Sequence, residues 1–198
     1  MRTGFRWLAA IMFVATAGST VDSAEAGEVV ERVLGDENAP VTMIEYSSLT
    51  CPHCAAFHTD TLPAIKEQYI DTGKVKLVMR DFPLDQIALA GSVIAHCAGE
   101  ESYFSFIEAM FSSQAQWARS DDPIASLLQL AQLGGLPQDE ARACLDDQAM
   151  GDAVLQVRLD GQNQYEIRST PSFVINGELY SGNRPVEEFA EIFDGLID

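Results

Sequence analysis

Two cysteines stand one helical turn apart in Cys51-Pro52-His53-Cys54, where a β-patterned stretch gives way to a helical one. Disulfide exchange needs a thiolate as the attacking group. The start of a helix supplies one, because unpaired backbone N–H groups and the positive end of the helix dipole favour S⁻ over SH. Cys51 is therefore expected at the N-cap as an exposed attacking thiol of depressed pKa. Cys54 should lie deeper, close enough to close a disulfide with Cys51. Pro52 falls at the first helical position, where a missing N–H costs nothing. His53 is expected to place partial or full positive charge near the Cys51 sulfur. A Cys51 pKa of about 4 would favour the reduced form by roughly 4 kcal/mol at pH 7. Over two electrons that raises the potential by about 90 mV, in the direction of an oxidant.

The competing chemistry for such a pair is half of a zinc site. Zinc asks for a second ligand pair at similar spacing. Cys97 and Cys144 are far apart in the chain, and His58 and His96 are the only other soft donors near enough in type to be considered. No metal and no cofactor is expected. A purely structural Cys51–Cys54 disulfide is disfavoured too, since so small a loop constrains the unfolded chain little.

The elements around the motif read as follows. Residues 28–34 alternate as a short strand, and Val41 to Tyr46 as a second. A helix runs from about Pro52 to the stop at Asp71-Thr72-Gly73, with Pro63 expected to kink or divide it. Lys74 to Arg80 reads as a third strand. From Leu84 to about Ile167 the apolar residues recur at helical period, suggesting five helices, the last with Ala153, Val157 and Gly161 on one face. Strand character returns at Ser172 to Ile175. Asn176-Gly177 is a two-residue hairpin signal, Glu178 to Ser181 the return strand. A last helix starts at Pro185 with Val186, Phe189, Ile192 and Phe193 inward. The order predicts an α/β fold: a strand–helix–strand unit and a C-terminal hairpin, with a helical insertion between them. We expect one domain over residues 27–198, its core about 27–84 and 167–198, its insertion about 85–166.

The chain has 198 residues, with 12 Lys plus Arg against 30 Asp plus Glu, a net charge of −18. That surface repels phosphate backbones, so nucleic acid is not an expected partner. Arg2 and Arg6 precede an apolar run from Trp7 to Ala17, and Ala24-Glu25-Ala26 fits a small-x-small cleavage site. Eleven residues of helix span about 17 Å, short of the roughly 30 Å hydrocarbon core. Residues 1–26 are therefore expected to be a cleaved signal peptide, an uncleaved N-terminal anchor being the alternative. The destination is oxidising, where cysteines are paired or redox-active.

Taken together, these segments resemble the DsbA-type thiol:disulfide oxidoreductases, secreted members of the thioredoxin superfamily. The resemblance covers most of the chain after residue 26. It rests on Glu45-Tyr46-Ser47-Ser48-Leu49-Thr50 leading into Cys51-Pro52-His53-Cys54, on Arg80-Asp81-Phe82-Pro83-Leu84, and on Thr170-Pro171-Ser172-Phe173-Val174-Ile175-Asn176-Gly177 followed by Gly182. It implies a thioredoxin-like fold, with Cys51 and Cys54 catalytic. It implies that Pro171 is a cis-proline packed against the cysteines, an ordinary trans proline being the alternative. The Thr170 backbone would then be open to a substrate strand. Glu45 stands where the family often has a buried acid able to accept or pass the Cys54 proton; on its own it reads equally as a polar strand residue. His58 departs from the acid that some members carry in this helix. Thr170 departs from the Val of the best-known oxidases, which keeps an isomerase or reductase direction open. Between Cys97 and Cys144 a structural disulfide is expected, against two buried free thiols. The implied activity is donation of the Cys51–Cys54 disulfide to reduced secreted proteins in the periplasm, by a monomer re-oxidised by a DsbB-type membrane partner.

Overall fold

The structure is a computed structural model and describes residues 29–197; the expected signal peptide lies outside that range. Five strands form one mixed sheet in the order β1-β3-β2-β4-β5. These are β1 (Arg32–Leu34), β2 (Val41–Ser47), β3 (Val75–Asp81), β4 (Ser172–Ile175) and β5 (Glu178–Ser181). β2 and β3 pair in parallel, Val41 opposite Val75 through Ser47 opposite Asp81. The other neighbours are antiparallel. A parallel pair needs a crossover, and the helix that begins at Pro52 supplies it. Of the expected strand at 28–34, three of the described residues, Arg32–Leu34, form a strand at the sheet edge, paired with β3.

The crossover helix is not uniform. It starts as α1 (Pro52–Ala56), passes through a π-helical turn (Phe57–Thr61), resumes as α2 (Leu62–Ile65) and ends in a second π-helical turn (Lys66–Ile70). Pro63 explains the first irregularity. It has no N–H to give and its ring crowds the carbonyl a turn earlier. The chain widens instead, and Leu62 N–H reaches the Phe57 carbonyl five residues back.

Between β3 and β4 the chain makes α3 (Gln86–Cys97), α4 (Glu100–Ser112), α5 (Gln114–Trp117), α6 (Pro123–Leu133), α7 (Gln138–Leu145) and α8 (Gln148–Tyr165). The short α5 escaped the periodicity reading, since one turn is too brief to show a period. On α8 the buried residues are Val154 and Gly161, with Ala153 and Val157 only half-buried. Gly161 is demanded by contact: a Cβ there would sit 2.4 Å from the Tyr46 ring. Asn176 and Gly177 take the hairpin with φ of 45° and 93°, and α9 (Val186–Ile197) closes the fold.

Three apolar clusters hold these layers. On one face of the sheet Val41, Met43, Phe57, Ile65, Leu77, Phe173, Phe189 and Phe193 pack together. Tyr46, Phe82, Ile167 and Val174 fill the other face. The third cluster belongs to the helical block, with Ile94, Tyr103, Met110, Trp117 and Leu128, and it also contains Leu49, Cys51 and Cys54. The block therefore shares its core with the cysteine motif.

A Cys97–Cys144 disulfide ties α3 to α7 across a sequence separation of 47. In the chain-entropy account a loop of this length stabilises by about 4 kcal/mol. Cys97→Ser is therefore expected to lower the melting temperature by roughly 10 °C in calorimetry. A melting point equal to that of the parent would show that the bridge contributes no stability.

Candidate active site

Cys51 ends β2's connecting loop and opens α1. Its backbone is extended, with φ −80° and ψ 119°, and its carbonyl accepts the first helical bonds from Cys54 and Ala55 at 3.1 Å each. Three contacts fix this corner. Cys51 N–H donates to the Ser48 carbonyl at 3.0 Å. Thr50 Oγ1 donates to Asp85 Oδ2 at 2.7 Å, and Asp85 also caps α3 by accepting from Ala88 N–H. Gln114 Nε2, on α5, donates to the carbonyls of Leu49 at 2.8 Å and Cys51 at 3.0 Å. An Asp just before an apolar helical run is legible as a cap. Nothing in the sequence around Gln114 marks it as part of a site.

The Thr170–Pro171 bond is cis, and this turn lies against Cys51. The Cys51 thiol donates to the Thr170 carbonyl at 3.4 Å. The Gly182 N–H holds the Pro171 carbonyl at 2.8 Å. The expectation of a fully exposed Cys51 is corrected here: only 7% of the residue is accessible, and Cys54 is fully buried. The Thr170–Pro171 turn covers one side of the sulfur and the apolar core of the helical block backs it.

Both sulfurs are thiols in this structure, and their surroundings treat them oppositely. Cys51 is lowered to about 5, first because the Cys54 thiol can donate to its sulfur. Partial burial opposes this. The Thr170 side chain and the backbone N–H groups of Cys54 and His53 add to the lowering, although the Thr170 hydroxyl is buried with no hydrogen-bond partner among the described residues. His53 thus contributes through its main chain, and its side chain faces solvent. Cys54 is pushed far up by burial, then by the neighbouring Cys51 sulfur, then by the negative charge of Glu45.

Glu45 is fully buried in β2. Both of its oxygens lie 3.1 Å from His58 Nε2. His58 follows Cys54 by four residues, so the two share a helix face, and that face looks onto β2. The His58 ring is stacked on Phe111 with centroids 4.1 Å apart and meets the edge of Phe57. His96, the other histidine weighed as a zinc donor, binds Asp81 Oδ2 at 2.7 Å in a separate buried pair. Each histidine weighed for zinc is bonded to a carboxylate, His58 to Glu45 and His96 to Asp81.

Known proteins share this fold. The family model described as thioredoxin matches residues 28–195. The crystal structure of Wolbachia pipientis alpha-DsbA1 is similar at 36% identity and a TM-score of 0.79, the match covering 84% of this chain and 90% of that one. A Rickettsia felis protein described as a candidate protein-disulfide oxidoreductase is 31% identical over 169 residues, which is 85% of this chain and 60% of the relative. The chain thus spans about three-fifths of that curated relative's length. Bacillus subtilis BdbD, at 21% identity and a TM-score of 0.75, shares the fold.

The depressed Cys51 pKa has a stability consequence with a definite sign. An unfolded cysteine titrates near about 8.5. The reduced protein should therefore lose stability as pH falls from neutrality through about 5. Thiolate absorbance of the reduced protein is expected to rise with a midpoint near 5, and Cys51→Ser should abolish that step. A lone transition near the unperturbed value would refute the asymmetry.

Proposed function

Since this chain belongs to the DsbA-type thiol:disulfide oxidoreductases of the thioredoxin superfamily, we propose that it donates the Cys51–Cys54 disulfide to reduced, secreted proteins. The observation that carries the reading is the unequal pair: a sulfur stabilised as thiolate at the surface of the site, and a partner one turn deeper that holds its proton.

The chemistry follows from that inequality. A substrate thiolate attacks the Cys51 sulfur of the oxidised protein, and the Cys51–Cys54 bond breaks. Cys54 leaves with the electron pair and takes up a proton, because burial disfavours its anion. A second substrate thiolate then attacks the substrate sulfur of the mixed disulfide. Cys51 departs as a thiolate, and the substrate leaves with its own disulfide. A good leaving group at Cys51 speeds this last step. The Thr170 carbonyl and the cis turn flank the sulfur, where an extended substrate segment could pair with the main chain.

Direction follows from the same pair. With Cys51 at about 5, the thiolate favours the reduced form by roughly 3 kcal/mol at pH 7. Over two electrons this is about 60 mV toward oxidant behaviour. That is less than the sequence-based figure, because the assumed pKa of about 4 was lower. The Thr170 hydroxyl favours the thiolate, so it supports donation. The basic and apolar N-terminal pattern of residues 1–26 supports export to the periplasm. There a DsbB-type membrane protein would restore the disulfide, and the donor would act as a monomer. The net charge of −18 keeps nucleic acid off the list of partners.

Two substrates decide the direction. A fully reduced protein reports oxidation through regained activity, and a scrambled one reports isomerisation. The chain is expected to oxidise the first efficiently and to rescue the second poorly. Its reduced form should also unfold at a higher temperature than its oxidised form, with Cys97–Cys144 left intact in both. Efficient rescue of the scrambled substrate with little oxidation would overturn donation in favour of an isomerase.

A further inference from the structure

Cys54 cannot leave the disulfide without a proton, and it has no route to bulk water of its own, being fully buried. Glu45 lies on the sheet face that carries the active-site helix, close enough for its charge to act on Cys54. Its carboxylate is fully buried as well. A carboxylate sealed from water can relay one proton, but it must then be recharged from somewhere. Among the described residues the group bonded to it is His58, with Nε2 at 3.1 Å from both oxygens.

His58 is where this buried pair meets solvent. Nε2 is turned inward to Glu45, while 5% of the side chain remains accessible. That accessible edge opens into a surface cavity of about 300 Å³, lined among others by Leu62, Lys66, Phe104 and Glu108. The ring is held in place by Phe111 stacked at 4.1 Å and by the edge of Phe57. The π-helical turn at Phe57–Thr61 contains His58 itself, so the irregularity forced by Pro63 sets where the ring stands. The second buried histidine offers a contrast. His96 Nδ1 is sealed from solvent with no partner among the described residues, so the Asp81–His96 pair has no comparable outlet there.

We propose that His58 is the positioning residue for the proton of this reaction, recharging Glu45 through a cavity whose lining includes neither Cys51 nor the Thr170–Pro171 turn. The inference rests on disulfide donation as the activity. When substrate attack breaks the Cys51–Cys54 bond, the Nε2 proton of His58 passes through the Glu45 carboxylate to the departing Cys54 sulfur. Glu45 ends as the carboxylate it was, beside a His58 ring that has lost one proton. His58 regains a proton from water in the cavity. One proton enters from solvent, one thiol is formed, and the electron pair stays on Cys54. In the reverse reaction, as Cys54 re-forms the disulfide, each transfer runs backward. The separation has a chemical use: the proton travels by a path that a docked substrate chain does not block.

The charged and titratable groups facing this pair are Cys54 on the helix, Lys66 and Glu108 at the cavity, and Tyr103 on α4. Tyr103 is fully buried and raised first by burial, with Asp81 and Glu45 adding to it and Arg32 opposing. Any pH profile therefore includes them, and the test relies on chemical rescue in place of a bare profile.

Oxidised full-length protein is mixed with a dithiol peptide, acid-quenched, and the mixed disulfide and products are counted by mass spectrometry. His58→Ala is expected to slow this single turnover by about a hundredfold, the scale of a lost proton-transfer group. Added imidazole should fill the enlarged cavity and restore the rate, in proportion to imidazolium across pH. The thiolate absorbance step of Cys51 should stay in place. His58→Gln keeps a donor toward Glu45 but carries no mobile proton, and it should be slow too; it serves as the second variant if His58→Ala disturbs folding. A wild-type rate in either variant, or a loss that imidazole leaves untouched in His58→Ala, would overturn the proposal. A parent protein inert toward the peptide would overturn disulfide donation together with it, and is read from the parent alone.

Discussion

Cys51 and Cys54 are separated by one turn of helix, yet the fold gives one sulfur donors and the other an apolar enclosure. The thiol of Cys54 is itself the largest influence that lowers Cys51, and the Cys51 sulfur in turn raises Cys54. Neither state exists without the other. For the pair to work this way the helix must begin at Cys51, the Thr170–Pro171 turn must sit against its sulfur, and the apolar block must close over Cys54. Each requirement falls on a different part of the chain: the end of β2, the approach to β4 and the helices between β3 and β4. The sheet register brings the first two together, since β4 pairs with β2 from Met43 opposite Ile175 to Tyr46 opposite Ser172.

The site also tolerates buried charge. Burying an unpaired carboxylate is costly, and a good partner offsets much of that cost. Glu45 has His58, and Asp81 has His96. The two acids come from adjacent parallel strands and point into the same helical layer. The second pair is less completely satisfied: Asp81 Oδ1, His96 Nδ1 and the Tyr103 hydroxyl are all buried without partners among the described residues. Three polar atoms of both donor and acceptor type, gathered in one enclosed region, are the circumstance in which proteins retain internal water.

Much of this was legible in the chain. The Cys51-x-x-Cys54 spacing, the Asn176-Gly177 hairpin and the period change after Leu84 mark their elements because each is a local pattern with a local cause. Pro63 announced an interruption for the same reason. What the pattern does not carry is anything decided by a distant neighbour. His58 looks like one more helix residue until β2 is laid beneath it with Glu45. Gln114 sits in a single turn of helix and matters only because Leu49 and Cys51 present their carbonyls to it. The exposure of Cys51 was misjudged on the same ground, for the covering residues lie 119 positions away. Among the described residues the edge strand is shorter than its pattern, being fixed by its pairing with β3.

The reach of Gln114 across to the Leu49 and Cys51 carbonyls bears on how separable the parts of this molecule are. A helical block placed between two strands invites the idea of a removable module, grafted onto a smaller ancestral sheet and free to be trimmed. Here the graft has become structural to its host. Cutting it out would remove the side-chain donor that ties the Leu49 carbonyl to the Cys51 carbonyl at the very corner where the catalytic helix starts, and would uncover Leu49 and Cys54 from their shared apolar cluster. A minimal version made by joining Asp81 to Ser172 would keep every strand and yet lack the wall that makes its two sulfurs different. For this chain, any insertion put in place of the helical block must bring its own donor for the loop that Gln114 now holds.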